Sequence, residues 1–329
     1  MKRNILYLDK APDAYVEVLE SLKPEGFDIW YWDKMSQEER QAALPKVHYT
    51  INTTFRVKRE LIEKAASLRM IQRTGVGINN VDVEFADSLG IPVAIVPRGN
   101  GIAVAEFEIL QMLALYRHLR ELEADTKAGE WPNFKYRECS RELDGKTVGF
   151  IGFGYIAREI AKRLMGFNTR IEYFDLVRAP QEVEEQFRAL YLPSKEEVLR
   201  RCDVLVIMVP LVPANRNMIA MPELKLMKKE AIICNCDRGY LINEDDLYTA
   251  LTTGIISGVG MDCWADEPVT RRHPMFDLPN VIATPHASPG TLDTFRKCAR
   301  LAIENIVRAE TTGEPIDVKT RTKSPRITD

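Results

Sequence analysis

The segment Thr147-Val148-Gly149-Phe150-Ile151-Gly152-Phe153-Gly154-Tyr155-Ile156-Ala157 constrains this chain more than any other. It reads as a strand, a G-x-G-x-x-A turn and the start of an amphipathic helix over 156–165. Gly152 permits the tight turn, Gly154 removes the Cβ that would hold a pyrophosphate away, and Ala157 lets the helix pack close on the strand. The free N–H groups and positive dipole end of the helix suit an anion. A glycine-rich turn alone often serves packing only. Here, however, a second strand over 170–174 leads to Asp175, 21 residues beyond Gly154, where a carboxylate can bond a ribose 2′-hydroxyl. The complete unit points to a bound dinucleotide. Asp175 would repel a 2′-phosphate and so favours NAD over NADP, a preference that the nearby Arg178 moderates.

The same alternation of strand and helix runs through the chain. Apolar runs at 4–8, 27–32, 49–52, 69–72 and 92–96 read as strands, separated by helical spacing at 15–22, 36–44, 58–67 and 83–89. Ser36 is placed to cap the second of these helices. After Arg98-Gly99-Asn100-Gly101 the spacing predicts one long helix from Ile102 to about Lys127. A second series follows from Lys146, with strands at 147–151, 170–174, 204–209, 231–235, 258–261 and 281–284. The stretch 204–209 is wholly apolar, as in a strand covered on both faces. Helical spacing returns from Leu292 to about Glu310, and the tail 319–329 reads as polar and loose. The expected fold class is α/β, with two doubly wound parallel sheets in series. A Rossmann dinucleotide-binding domain spans 101–287, and a flavodoxin-like substrate domain joins 1–100 to 288–329 across an interdomain cleft.

Composition narrows the field by exclusion. The 329 residues carry 45 Lys+Arg against 48 Asp+Glu, a formal net charge of −3 that leaves no electrostatic footprint for nucleic acid or an anionic membrane. The run 204–212 is interrupted by Pro210 and is far shorter than the ~20 residues that span a bilayer. The N-terminal MKRNILYLDK is too short in apolar residues for a signal peptide. Six scattered cysteines then read as reduced thiols of a cytoplasmic protein, and their spacing predicts no metal site.

Of four histidines, His48, His118 and His273 have no pattern around them, whereas His286 follows a strand in Thr284-Pro285-His286. In an open α/β sheet, ligands gather at the carboxyl ends of strands. Two further strand ends carry Asn235-Cys236-Asp237-Arg238-Gly239 and Gly260-Met261-Asp262-Cys263-Trp264-Ala265-Asp266-Glu267-Pro268. With these segments in this order, the chain resembles the D-isomer-specific 2-hydroxyacid dehydrogenases, and within them the phosphoglycerate dehydrogenase and hydroxypyruvate–glyoxylate reductase branch. That family carries N-x-x-R-G, G-x-D-V-x-x-x-E-P and T-P-H after its glycine-rich turn. The likeness extends to Gly75-Val76-Gly77-Ile78-Asn79-Asn80-Val81-Asp82, Val104-Ala105-Glu106 and Leu143-Asp144-Gly145-Lys146-Thr147.

Elementary chemistry gives these residues matching roles. Reducing a 2-keto acid needs a hydride donor, a proton donor near neutral pH and a cation for the carboxylate and carbonyl. His286 has a suitable intrinsic pKa, Glu267 would favour its imidazolium, and Arg238 offers a planar charged fork. The resemblance implies that the N–H groups of Val76 and Gly77 take the other carboxylate oxygen and that Asp262 bonds the nicotinamide carboxamide. The cofactor set is then Gly152, Gly154, Tyr155, Ile156, Asp175, Val209, Pro210, Cys236, Asp262 and Val104. The substrate set is Val76, Gly77, Arg238 and His286.

Several positions depart from the family pattern. Asp237 replaces a small residue beside the arginine, and Pro210-Leu211-Val212-Pro213-Ala214-Asn215 lacks two hydroxyls usual on the adenine side. Ile95-Val96 stand where an asparagine usually precedes the interdomain proline. Asn52 stands where phosphoglycerate dehydrogenases tend to carry arginine, which disfavours a phosphorylated substrate, and Glu267 disfavours formate. The expectation is an NAD-dependent enzyme that moves hydride to and from C2 of a small 2-hydroxy/2-keto acid with D stereochemistry. The family also implies a homodimer, for which the aromatic segment 131–136 is a candidate contact. The rival is an NADH-binding corepressor or sensor with little turnover.

Overall fold

A computed structural model describes residues 2–270 and 272–325. The chain divides into two compact units, one running to Asn100 and resuming at Gly290, the other spanning Gly101–Pro289.

The first unit is a parallel sheet of β1 (Arg3–Tyr7), β2 (Phe27–Tyr31), β3 (Tyr49–Asn52), β4 (Met70–Arg73) and β5 (Val93–Ala94), in the order β2-β1-β3-β4-β5. The period-2 alternation of β1 feeds two cores. Ile5 and Tyr7 pack with Phe295, Ala302 and Ile306 of the helix Leu292–Thr312, while Leu6 and Leu8 pack with Ile62, Ala86 and Val93 on the opposite face. The final helix therefore completes the sheet that the first hundred residues begin. Ser36 caps the helix Gln37–Ala43 in a reciprocal box with Glu39. The tail expected to be loose is instead bonded to this unit as far as it is described. The Lys319 N–H donates to the Val93 carbonyl, Thr320 Oγ1 accepts the Val93 N–H, and the Thr322 N–H donates to Asp87. Its polar side chains satisfy backbone groups, which composition alone does not distinguish from solvation. Residues 326–329 lie outside the described set.

The second unit holds β6 (Thr147–Ile151), β7 (Arg170–Phe174), β8 (Ala189–Tyr191), β9 (Val204–Ile207), β10 (Ile232–Asn235), β11 (Gly258–Met261) and β12 (Val281–Ala283). All seven are parallel, in the order β12-β11-β10-β9-β6-β7-β8. From β6 the chain winds outward through β7 and β8, then crosses back to β9 and winds the other way. Beside β6 the order reverses, and such switch points are where open sheets bind ligands, beyond the carboxyl ends of the strands. Gly152, Val209, Cys236, Asp262 and Thr284 all lie just past those ends.

The single helix expected over 102–127 is two, Gly101–Tyr116 and Leu119–Lys127. His118 between them adopts a left-handed backbone (φ 49°) and stacks on Tyr136 at 5.1 Å. The break falls where the composition changes. The first helix buries residues on most of its faces, whereas none of the second is fully buried. Strand β8 and the helix Gln181–Phe187 before it have no counterpart in the sequence reading, because a three-residue edge strand is too short to show a period. No helix among the described residues is long and apolar enough to cross a membrane.

Candidate active site

The glycine turn has the form its sequence suggests. Gly152 sits at φ +88°, and a Cβ there would lie 2.2 Å from the Met208 carbonyl oxygen, so only glycine fits between β6 and the end of β9. A Cβ on Gly154, the N-cap of the helix Tyr155–Leu164, would meet nothing within 4 Å. No side chain caps that helix, so its first N–H groups face an open space of the kind a pyrophosphate fills. Asp175 Oδ2 accepts the Phe153 N–H at 2.8 Å, which fixes the carboxylate at the mouth of the turn. Arg178 is forked onto Glu184, with Nε and Nη2 at 2.9 and 2.8 Å from its oxygens. These features fit a dinucleotide.

Past the end of β12, His286 Nδ1 lies 2.8 Å from Glu267 Oε2. Glu267 Oε1 also accepts the Trp264 N–H at 2.9 Å. The His286 hydrogen bond holds the imidazole above its ordinary pKa against the opposing effect of burial. For Glu267, burial pushes upward, but the bonds from His286 and the Trp264 N–H outweigh it and hold the carboxyl below its usual range. An ionised Glu267 requires the shared proton to reside on Nδ1, which leaves Nε2 as the exchanging nitrogen.

The His286 loop is built on Asp262. This wholly buried carboxylate accepts Thr284 Oγ1 at 2.6 Å and the N–H groups of Ala287 and Ser288 at 2.8 Å each. The His286 N–H donates to the Asp262 carbonyl at 2.7 Å. These bonds hold His286 in a left-handed conformation (φ 54°), a strained state that histidine tolerates better than most residues. Asp262 thus organises the loop, whatever it also offers a cofactor.

Arg238 follows β10, and Gly239 after it has no room for a Cβ, which would fall 1.9 Å from the Trp264 carbonyl carbon. That contact presses the Arg238 segment against the one carrying Glu267. Arg238 Nη1 donates to the Asp237 carbonyl at 2.5 Å and lies 3.5 Å from Asp237 Oδ1. Among the described residues no bond engages its Nε or Nη2. Burial raises the Asp237 carboxyl to about 6 even though Arg238 draws it down. Asp237 therefore leans on one side of the fork and leaves the other open to a planar carboxylate.

The remaining sequence candidates are dispersed. Cys236 is buried, with its N–H donated to Glu108, and Val104 is buried within the helix Gly101–Tyr116. Tyr155 packs its ring over Gly101, whereas Val209 is half-buried and Pro210 exposed. Val76 and Gly77 belong to the first unit, in the loop after β4, where Gly77 accepts the Arg73 Nε–H at 2.8 Å. Asn52, in the same unit, is fully buried.

Residues 109–288 match the family model described as D-isomer specific 2-hydroxyacid dehydrogenase, NAD binding domain. The chain belongs to that family. It is 33% identical over 316 residues to a glyoxylate reductase of Thermococcus gammatolerans, covering 93% of this chain and 92% of the relative. It is 38% identical over 251 residues to a D-3-phosphoglycerate dehydrogenase of Methanocaldococcus jannaschii, covering 76% of this chain but spanning only 47% of that longer relative. Among solved structures, an NADPH-dependent glyoxylate/hydroxypyruvate reductase of Sinorhizobium meliloti, in complex with NADP and malonate, is 26% identical with a TM-score of 0.81 and covers 100% of both chains. The protein is thus a 2-hydroxyacid dehydrogenase-family oxidoreductase with a domain for a nicotinamide dinucleotide.

One buried group of this dehydrogenase-family site was absent from the sequence reading. Glu108 is wholly buried, and its Oε1 accepts the Cys236 N–H at 2.9 Å, two residues before Arg238. Its Oε2 has no hydrogen-bond partner among the described residues. Burial pushes its carboxyl up to about 8. A lone acid on the apolar stripe Ala105, Ile109, Met112 was the available signal. The folded protein therefore binds a proton that the unfolded chain releases in the ordinary carboxylate range. The stability this proton confers is complete below that range and is lost as pH rises through about 8. In Glu108→Gln, the fall in unfolding free energy between about pH 5 and pH 9 should be smaller than in the wild type by a few kcal/mol, on the order of 3. Denaturant midpoints at the two pH values measure it, and equal falls in both proteins refute it.

Proposed function

We propose that the protein transfers hydride between NAD(H) and C2 of a small 2-hydroxy/2-keto acid with D stereochemistry, and that reduction is the direction its site favours. The observation that carries this reading is the His286–Glu267 pair at 2.8 Å, with Arg238 near enough for its charge to act on both. Bound nicotinamide supplies the hydride. Arg238 binds the substrate carboxylate and polarises the keto oxygen, and His286 Nε2 delivers the proton to that oxygen. Glu267 keeps the imidazolium charged until then and steadies it in the reverse direction. Val76 and Gly77, on the first unit, are assigned to a second carboxylate oxygen through their N–H groups. Asp175 is assigned to the ribose hydroxyls. Arg178, the cation nearest to Asp175 in sequence, is engaged by Glu184, which supports NAD over NADP. The relatives named glyoxylate reductase support a substrate at the small end of the class. A homodimer belongs to the same reading, with Trp131 and Phe134, 82% and 69% exposed, as its apolar candidates.

The test is NADH oxidation against a panel of glyoxylate, hydroxypyruvate, pyruvate and bulkier 2-keto acids. Turnover in the usual enzymatic range of ~1–1,000 per second with at least one of them is expected. NADH binding without turnover on any would replace this reading by that of a sensor.

A further inference from the structure

The Cys263 thiol, a Glu267 carboxylate oxygen and a His286 ring nitrogen all lie within 4.8 Å of one another. Cys263 is buried, whereas His286 and Glu267 keep 40% and 35% of their side chains exposed, so the cluster has a closed floor and an open mouth. We propose that these three side chains form a binding site for a thiophilic divalent cation, with zinc(II) as its type, and that occupancy switches the dehydrogenase site off.

Donor chemistry selects the ion. Thiolate, imidazole and carboxylate together match zinc and its soft neighbours, whereas magnesium and calcium need oxygen donors throughout. Bonds of about 2.0–2.3 Å in a tetrahedron put ligand atoms roughly 3.3–3.7 Å apart, which side-chain rotation can reach from the present spacing. Three protein ligands leave a fourth position open on the exposed side. Burial holds the proton on the Cys263 thiol until a cation displaces it, and the carboxylates of Glu267, Asp262 and Asp237 add negative charge that favours a cation against the positive charge of Arg238. Binding displaces two protons to solvent, one from the thiol and one from the His286–Glu267 hydrogen bond. A metal there occupies the atoms that would hold the catalytic proton, so the metal-free protein is the working form. Cys263 stands where the family pattern has valine, which makes the thiol a feature of this chain. No Cys or His spacing announces the site, since its donors come from three separate positions after β11 and β12.

The binding half of the proposal stands apart from the functional reading, and the inhibition half rests on it. Titrating the metal-free protein with cobalt(II) alone should raise a thiolate-to-cobalt charge-transfer band at one equivalent, displaced by zinc(II). Cys263→Val should lose the band, Cys139→Ser should keep it, and His286→Asn should weaken cobalt binding by at least about tenfold, since even losing a supporting group costs 10–100-fold. Absence of the band in the wild type, its persistence in Cys263→Val, or undiminished cobalt affinity in His286→Asn overturns the site. Zinc at saturation should lower the NADH-dependent rate more than tenfold, reversibly with a chelator, and Cys263→Val should keep most of its own zinc-free rate. Undiminished turnover with zinc bound overturns the switch. A wild type that is inactive without zinc instead refutes the dehydrogenase reading and leaves the cobalt result standing.

Discussion

His286→Asn should lower the rate of NADH-dependent 2-keto acid reduction by ~100–10,000-fold, the usual worth of a positioned proton donor, with NADH affinity nearly unchanged. Asparagine is the better replacement because residue 286 sits at φ 54°, where Asn is tolerated and Ala carries more strain. The loop hangs on backbone donors, the N–H groups of 286, 287 and 288 bonded to Asp262, which the substitution leaves in place. A His286→Ala protein that loses turnover and cofactor together would reflect a displaced loop. If His286→Asn also loses both, the proton-donor role is wrong. Stopped-flow NADH fluorescence and steady-state rates on the same samples separate the cases.

Legibility in the sequence followed the range of the interactions. The strand–turn–helix at Gly152 and its acid at 175 are local, set by turn sterics and one helix length, so spacing alone located them. His286, Glu267 and Arg238 stand out because their segments follow strands and match the family's ordered motifs, and parallel strands bring their ends to one edge. What escaped depends on partners distant in sequence. Glu108 makes its bond 128 residues away, and an acid among apolar residues marks the position without naming that partner. The break at His118 arises from stacking on Tyr136 and a change of burial, while apolar spacing continues across it. The tail from Lys319 reads as solvated because its bonding partners, Asp87 and Val93, lie far upstream in the sequence. Asp237 was noted as foreign beside Arg238. Which side of the guanidinium it occupies is set by the fold of the chain past β10 and not by spacing.

That division of the guanidinium sets the second large effect. Arg238→Ala should reduce kcat/KM for a 2-keto acid by ~100–1,000-fold or more, because a charge-assisted fork to a desolvated carboxylate is worth roughly 3–5 kcal/mol. Much of the loss should appear in KM, since the substrate carboxylate carries its charge in ground and transition states alike. The part that appears in kcat reports polarisation of the carbonyl as negative charge develops on its oxygen. Arg238→Lys keeps the charge but loses the fork, so it should recover only a minor fraction of the rate. Removing Asp237 works in the opposite sense. Its carboxylate lies 3.5 Å from Nη1, and Asp237→Ser should lower KM for anionic substrates by removing that negative charge, while the bond from Nη1 to the residue 237 carbonyl remains. An Arg238→Ala protein with unchanged kcat/KM would show that the carboxylate binds elsewhere, and the His286–Glu267 pair would then lack the cation its chemistry needs.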